Sequence, residues 1–248
     1  MAGLLTRVRK EIRATIARPG RVLELANPRK LRAHAQWLVS SGPGFEVGGW
    51  QPAGDASGCD VRGYRSYEDY LQHQRSKLEK LDLAEYDRSF CAQLTERLSA
   101  HAFQPGTTVL CLGARLGTEV RAFINHGCFA IGIDLNPGPD NRFVVVGDFH
   151  QLQYADRSVD VVFTNALDHA LDLGRILKEV ERVLAADGRF IVEAVHGSAE
   201  GKAPRFYESF YWATIDDLVK LIERLGFRLE RRTPFDQPWP GAHLTFRK

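Results

Sequence analysis

The residues best suited to chemistry lie where apolar runs stop. One run, 109–112, ends at Gly113, and the next, 129–133, ends at Asp134. If both runs are parallel strands, their carboxyl ends face the crevice where such sheets bind ligands, because loops there present backbone N–H groups and the start of a helix. A carboxylate in that position can accept hydrogen bonds from both hydroxyls of a ribose. The stretch therefore predicts a strand, a ligand-holding loop, a helix and a ribose-binding acid.

The glycine spacing after the first run separates two kinds of nucleotide site. The dinucleotide pattern Gly-x-Gly-x-x-Gly would require glycines at Arg115 and Thr118, so it fails. The pattern acidic-x-Gly-x-Gly-x-Gly fits in part, with Gly113 and Gly117 as its first and last glycines. Arg115 replaces the middle glycine, and Cys111 replaces the leading acid.

The elements that position these residues alternate along the chain. Beyond 109–112 and 129–133, strand patterns occur at 143–146, 159–164 and 189–195, with helical spacing at 118–125, 176–184 and 214–225. Two further strand patterns, 228–232 and 243–246, follow without a helix between them. The alternation predicts an α/β fold, a doubly wound, mostly parallel seven-stranded Rossmann-like sheet with an antiparallel last strand.

Several motifs follow the loop in a fixed order. They are Ile131-Gly132-Ile133-Asp134, Gly147-Asp148-Phe149, the segment 161–169, and a helix and strand spanning 177–190. From about Tyr86 to the C-terminus, this order resembles a class I (Rossmann-like) S-adenosylmethionine-dependent methyltransferase of the methyltransferase type 11 kind, with no subfamily identified. The resemblance implies S-adenosyl-L-methionine as cofactor and S-adenosyl-L-homocysteine as product.

The resemblance implies cofactor-binding roles for the first loop and the second strand end. Gly113 and Gly117 let the backbone approach the methionine portion of the cofactor, and Ala114 and Arg115 lie in the same loop. Asp134 holds the ribose hydroxyls. The alternatives are a simple strand-ending turn at Gly113 and a turn or helix cap at Asp134.

Four later residues complete the implied cofactor site. Leu135 packs on the adenine, Asp148 accepts a hydrogen bond from its amine, and Phe149 supplies an apolar wall or a backbone N–H. Asn165 lines the methionine end. Asp148 has an alternative role as a turn or helix cap.

The departure at Cys111 leaves the methionine end without its usual acid. Glu119, in the first turn of the following helix, is one replacement for that charge. The alternative is a surface residue that complements the helix dipole. Loss of the acid also leaves open a weakly binding or catalytically silent protein.

Methyl transfer is an in-line displacement, so its catalysis requires alignment and, for a protonated nucleophile, a base. His169 and His196 follow the fourth and fifth predicted strands and are candidate general bases; the alternative for each is a structural or solvent-facing histidine. The aromatic cluster 206–212 indicates either a small organic acceptor or a cover for the sheet edge. No carboxylate and histidine spacing predicts a metal site.

The composition predicts two parts of different charge. Residues 1–63 read as a basic helical appendage followed by a Gly/Pro-rich linker, and residues 64–248 as the methyltransferase domain, with lid or cap helices at 64–101 and the Rossmann-like core at 102–248. Nine basic residues against two acidic ones between Arg7 and Arg32 give about +7 there, whereas the whole chain carries +2. A helical stripe of Tyr67, Tyr70, Gln74 and Lys77 is either core or a lid over a ligand.

Methyl transfer to an oxygen or nitrogen of a small or medium organic acceptor is the function we expect. The alternatives are a nucleic-acid methyltransferase guided by the basic N-terminus, also a possible membrane-surface element, and a non-enzymatic binding module. Four scattered cysteines and the lack of a signal or membrane-spanning run predict a cytoplasmic protein with buried thiols. The sequence predicts no oligomeric state.

Overall fold

Strands and helices alternate along most of the chain in the computed structural model, which describes residues 47–54, 57–77 and 84–248. The elements are β1 (Val47–Pro52), β2 (Cys59–Tyr64), α1 (Tyr67–Arg75), α2 (Ala84–Leu98), β3 (Thr108–Leu112), α3 (Thr118–Ile124), β4 (Phe129–Asp134), β5 (Val144–Val146), β6 (Val159–Thr164), α4 (Leu173–Val183), β7 (Leu184–Val195), β8 (Phe210–Trp212), α5 (Ile215–Arg224), β9 (Arg228–Phe235) and β10 (Gly241–Arg247). The basic helices predicted before residue 41 lie outside the described residues. None of the described helices is long and apolar enough to span a bilayer.

The larger sheet has seven strands in the order β5-β4-β3-β6-β7-β10-β9. Strands β3 to β7 run parallel, and β10 is antiparallel to both of its neighbours, β7 and β9. The short connection between β9 and β10 forces this reversal, because a parallel pair needs a long crossover. The predicted fold, a mostly parallel doubly wound sheet with an antiparallel last strand, is confirmed.

Both faces of the sheet are buried. Alternate residues of β3 enter two separate apolar clusters, Val109 and Cys111 on one face and Leu110 and Leu112 on the other. A central parallel strand covered by helices on both sides reads as a continuous apolar run for this reason. Three of the four cysteines are buried, the fourth is half-buried, and none forms a disulfide.

Two strands of a second, three-stranded sheet, β1 and β2, lie where the sequence predicted a Gly/Pro-rich linker before residue 64. Strands β1 and β2 pair with each other and then with β8, so that Cys59 lies opposite Trp212. Glycines with positive φ form the turn between β1 and β2 at Gly54 and Gly58. At Gly48 a Cβ would lie 2.8 Å from the carbonyl oxygen of Gly63, so the close strand approach explains part of the glycine content that we interpreted as a linker.

Candidate active site

The loop after β3 has the left-handed turns that its glycine spacing predicts. Gly113 and Gly117 have φ of 68° and 81°, and Arg115, at the position of the missing middle glycine, also has a positive φ of 43°. A Cβ on Gly113 would lie 2.7 Å from Ala166, and one on Gly117 would lie 2.6 Å from Phe143. Packing against neighbouring loops therefore already requires both glycines, and Arg115 accepts a conformation that most side chains avoid.

Asp134 ends β4 with its carboxylate held by two backbone donors. The N–H of Arg115 donates to Oδ2 at 3.0 Å, and the N–H of Asn136 donates to Oδ1 at 2.9 Å. Each carboxylate oxygen has a further lone pair, so the pair of oxygens can still accept from a ligand. The same residue thus fixes the β3 loop and presents an oriented acceptor.

A cleft with about 630 Å³ of empty space lies above these strand ends. Its lining residues are Tyr70, Gln74, Lys77, Gly113, Arg115, Ile133, Asp134, Leu135, Asn136, Gly147, Phe149, Asn165, Ala166 and His169. The structure therefore brings together six of the nine predicted cofactor residues. Ala114 is buried below the loop, and Gly117 and Asp148 also lie outside the lining.

Asp148 is occupied by partners within the protein. The Tyr67 hydroxyl donates to Oδ2 at 2.5 Å, and both the N–H and the Nδ1 of His150 lie 2.9 Å from Oδ1. Burial would raise the pKa of Asp148, but these hydrogen bonds outweigh it and lower the pKa. The turn-cap interpretation of Asp148 describes its contacts better than the predicted adenine contact does.

Glu119 is a buried acid beneath the methionine end of the predicted site. Its side chain is 2% exposed, so the interpretation as a surface residue is wrong. Oε1 accepts from the Asn165 amide at 3.1 Å, whereas Oε2 is buried with no partner among the described residues. Burial raises the pKa of Glu119 to about 7. The acid missing at Cys111 thus has a counterpart on α3, joined to the cleft through Asn165.

Three of the four residues in the predicted stripe, Tyr70, Gln74 and Lys77, line the cleft. The Tyr70 hydroxyl donates to the carbonyl of His169 at 3.1 Å, and the Gln74 amide donates to the carbonyl of Tyr207 at 2.9 Å. Lys77 follows the helix, and its Nζ lies 2.5 Å from Nε2 of His169. Burial and the nearby Arg115 lower the pKa of Lys77 to about 8. Helix α1 is therefore anchored to the loops that end β6 and precede β8.

The surroundings of His169 do not favour its predicted role as a general base. Nδ1 lies 2.9 Å from the carbonyl oxygen of Tyr207, which accepts only from a protonated nitrogen, so Nε2 is left to accept from Lys77. Burial and the charge of Lys77 lower the pKa of His169 well below its usual range. A neutral ring with both nitrogens engaged is a weak proton acceptor.

A second cleft, with about 1280 Å³ of empty space, adjoins the first. Lys77, Arg115, Asn165 and His169 line both and form a shared wall. The rest of its lining is Phe90, Asp168, Glu193, Val195, Lys202, Arg205, Tyr207, Glu208, Phe235, Pro238 and Trp239. Our sequence analysis did not identify Lys202, Arg205 or Trp239, because no local motif surrounds them.

His196, the other predicted base, lines neither cleft. It lies in a smaller cavity with Lys202 and Trp212, behind the second cleft. Its predicted catalytic role is therefore not supported by its position. The residues of the aromatic cluster 206–212 have different surroundings. Phe210 and Trp212 are buried in β8, whereas Tyr207 lines the second cleft. Within the described ranges no group of His, Cys, Asp and Glu side chains is arranged to hold a metal ion.

Comparisons with known proteins agree with this fold. Residues 110–192 match the family model of a methyltransferase domain. The malonyl-[acyl-carrier protein] O-methyltransferase of Methylococcus capsulatus is 36% identical over 103 residues, which cover 36% of this chain and 38% of that protein. This chain thus aligns with well under half the length of that relative.

Solved methyltransferases share the architecture. The 1,6-didemethyltoxoflavin-N1-methyltransferase of Burkholderia thailandensis, solved with 1,6-didemethyltoxoflavin and S-adenosylhomocysteine, superimposes with a TM-score of 0.61 at 18% identity, over 80% of this chain and 98% of that one. An S-adenosylmethionine-dependent methyltransferase from Aquifex aeolicus gives 0.54 at 16% identity, over 70% and 97%. At these identities the structures show the fold.

The matched family model and the shared fold are both those of methyltransferases. They agree with the S-adenosylmethionine-dependent methyltransferase family that the sequence resembles. The subfamily is not specified by any of these comparisons.

Proposed function

We propose that this protein transfers a methyl group from S-adenosylmethionine to an oxygen or nitrogen of a small or medium organic acceptor. The observation that carries the proposal is the Asp134 carboxylate, oriented by two backbone N–H groups in the lining of the cleft at the strand ends. The buried, unpartnered oxygen of Glu119 near the other end of the cleft also fits this cofactor, which carries an ammonium group.

The adenosine half of the cofactor is assigned to the β4 and β5 ends. Asp134 accepts from the ribose hydroxyls, while Leu135 and Phe149 supply the apolar walls for the adenine. Asp148 acts indirectly: it accepts a hydrogen bond from the Tyr67 hydroxyl and thereby helps to position α1. Gly113 allows the loop to pass close to the ligand.

The methionine half is assigned to the shared wall. Asn165 contacts the amino acid portion, and Glu119 supplies negative charge behind it. Lys77 and Arg115 provide positive charge for the carboxylate. Charge of both signs at this end matches a zwitterion, because each ionic group is stabilised by an opposite partner.

The second cleft is assigned to the acceptor because it meets the cofactor cleft at the shared wall. S-adenosylmethionine bound in the first cleft would supply an electrophilic methyl group, and its sulfur would leave as a neutral thioether as the acceptor lone pair bonds to the methyl carbon. His169 holds Lys77 in place, so it is a positioning residue. The chain's contribution to the rate is then chiefly alignment.

The names of similar proteins support an oxygen or a nitrogen as the acceptor atom. The Burkholderia thailandensis enzyme is named for methylating 1,6-didemethyltoxoflavin, and the Methylococcus capsulatus relative is named for O-methylation of a malonyl group on acyl-carrier protein. Both names describe transfer to an oxygen or a nitrogen.

Isothermal titration calorimetry of the full chain with S-adenosylmethionine and with S-adenosylhomocysteine tests the proposal. We expect one molecule of either ligand to bind per chain. Circular dichroism would verify in parallel that the protein is folded. A folded protein that binds neither ligand would overturn the proposal and favour a non-enzymatic module.

A further inference from the structure

The second cleft has a cationic side that the cofactor does not explain. Lys77 and Arg115 lie on the shared wall, where the cofactor carboxylate accounts for their charge. Lys202 and Arg205 line only the second cleft. Their charge therefore faces whatever occupies that space.

Among the described residues, the side-chain nitrogens of Lys202 and Arg205 form no ion pair with a carboxylate. Glu193 accepts two hydrogen bonds from Arg97, at 2.6 and 2.9 Å, and its Oε1 lies 3.0 Å from His243. Glu208 accepts from the backbone N–H of Arg205. Asp168 lies near enough to both Lys77 and Lys202 for their charges to act on it, and burial raises its pKa. Asp168 and Glu208 offset part of the charge of Lys202, but within the described residues neither forms an ion pair with it, so Lys202 and Arg205 keep nitrogen donors for a ligand.

The same half of the cleft has an aromatic side. Trp239 and Phe235 come from the connection between β9 and β10 and from the end of β9. The ammonium of Lys202 lies 4.8 Å from the centroid of the Trp239 ring. Lys202 is half-buried, and burial and Arg205 lower its pKa although Asp168 and Glu208 oppose this shift. A bound anion would stabilise the ammonium in place of the water it has lost.

We propose that the acceptor is an organic anion, a carboxylate on a planar apolar body, whose carboxylate is bound by Lys202 and Arg205 and whose body packs against Trp239. This inference rests on the proposed function, because it names the class of acceptor. Charged hydrogen bonds supply affinity, and the flat ring surface supplies apolar contact. The bound acid group lies away from the shared wall, so another atom of the acceptor faces the cofactor cleft.

A matched pair of probes tests this assignment. The full chain, saturated with S-adenosylhomocysteine, is titrated by calorimetry with 2-naphthaleneacetate and with 2-naphthaleneacetamide. The first compound carries a charged carboxylate where the second carries a neutral carboxamide. We expect the acid to bind about tenfold more tightly, as one charge-assisted contact provides. Lys202→Met and Arg205→Met should each remove most of this preference. Lys220→Met, an exposed lysine on α5, should keep it.

Three results would overturn the proposal. They are equal affinity for acid and amide, an acid preference that survives both cleft variants, and displacement of S-adenosylhomocysteine by the acid, which would place the anion in the cofactor cleft. Repeating the titrations without S-adenosylhomocysteine separates the two proposals. A protein that fails to bind S-adenosylhomocysteine but prefers the acid would contradict the proposed function while supporting the anion site.

Discussion

The two clefts differ in how the chain builds them. The first cleft, which we assign to the cofactor, is formed largely by residues at or directly after strand ends, such as Gly113, Asp134 and Asn165. The second cleft, which we assign to the acceptor, is assembled from α2, the segment before β8 and the connection between β9 and β10, far apart in the sequence. A parallel sheet dictates where its own strand ends meet, whereas nothing local dictates which distant loops will face each other. Cofactor chemistry is therefore readable from the sequence, and acceptor chemistry only from the structure.

The largest expected effect on ligand affinity is at Asp134, the residue that we assign to the ribose hydroxyls. Asp134→Ala should weaken S-adenosylhomocysteine binding more than tenfold, because a hydrogen bond to a charged group contributes about 1.5–3 kcal/mol. Asp187→Ala is the matched control, since that side chain is 97% exposed and should leave affinity unchanged. Calorimetry measures both variants.

Asp134 also holds the β3 loop, so its loss has a second consequence. Asp134→Asn keeps one acceptor oxygen and should retain more of the native melting temperature than Asp134→Ala does. Native affinity in a folded Asp134→Ala protein would remove the ribose assignment, and with it the claim that the strand ends define the cofactor site.

A smaller effect is expected at the buried acid of the methionine end. The pKa of Glu119 is raised from 4.5 to about 7, so the folded state binds more protons than the unfolded state between those values. Its stabilising contribution is present below pH 4.5 and is lost as pH rises through about 7. Relative to Glu119→Gln, the native protein should therefore lose on the order of 3 kcal/mol across this window.

Denaturant unfolding of the native protein and the Glu119→Gln variant at several pH values measures this difference. Glu181→Gln, at an exposed position on α4, serves as the control and should follow the native curve. Parallel curves for native and Glu119→Gln proteins would show that the carboxyl ionises normally, contrary to our description of the methionine end.

The smallest effect concerns the shared wall. Because the pKa of Lys77 is lowered to about 8, its positive charge is lost as pH rises through that value. We expect native affinity for S-adenosylhomocysteine to fall a few-fold between neutral pH and pH 9, and affinity of Lys77→Met to start lower and change less. Titration of the ligand's own amine is common to both proteins. Identical pH profiles would assign Lys77 to the acceptor cleft alone.

The sequence predicted the sheet because each strand carries its own signal. The apolar run 109–112, buried on both faces, and the acid Asp134 at the next strand end require no knowledge of distant residues. Sequence reasoning failed where a tertiary partner decides the outcome. The predicted linker pairs with β8, some 150 residues away, and Asp148 is satisfied by Tyr67 and His150. Glu119 was identified as a candidate, but only burial distinguishes it from a surface acid.

The crystal structure of the complex with S-adenosylhomocysteine tests the central claim most directly. We predict ribose hydroxyl oxygens about 2.6–3.2 Å from the Asp134 carboxylate, and the sulfur facing the wall of Asn165 and His169 that joins the two clefts. A ligand bound elsewhere, or one whose sulfur faces away from the second cleft, would contradict the account, because the acceptor cleft could then not deliver a nucleophile to the methyl group.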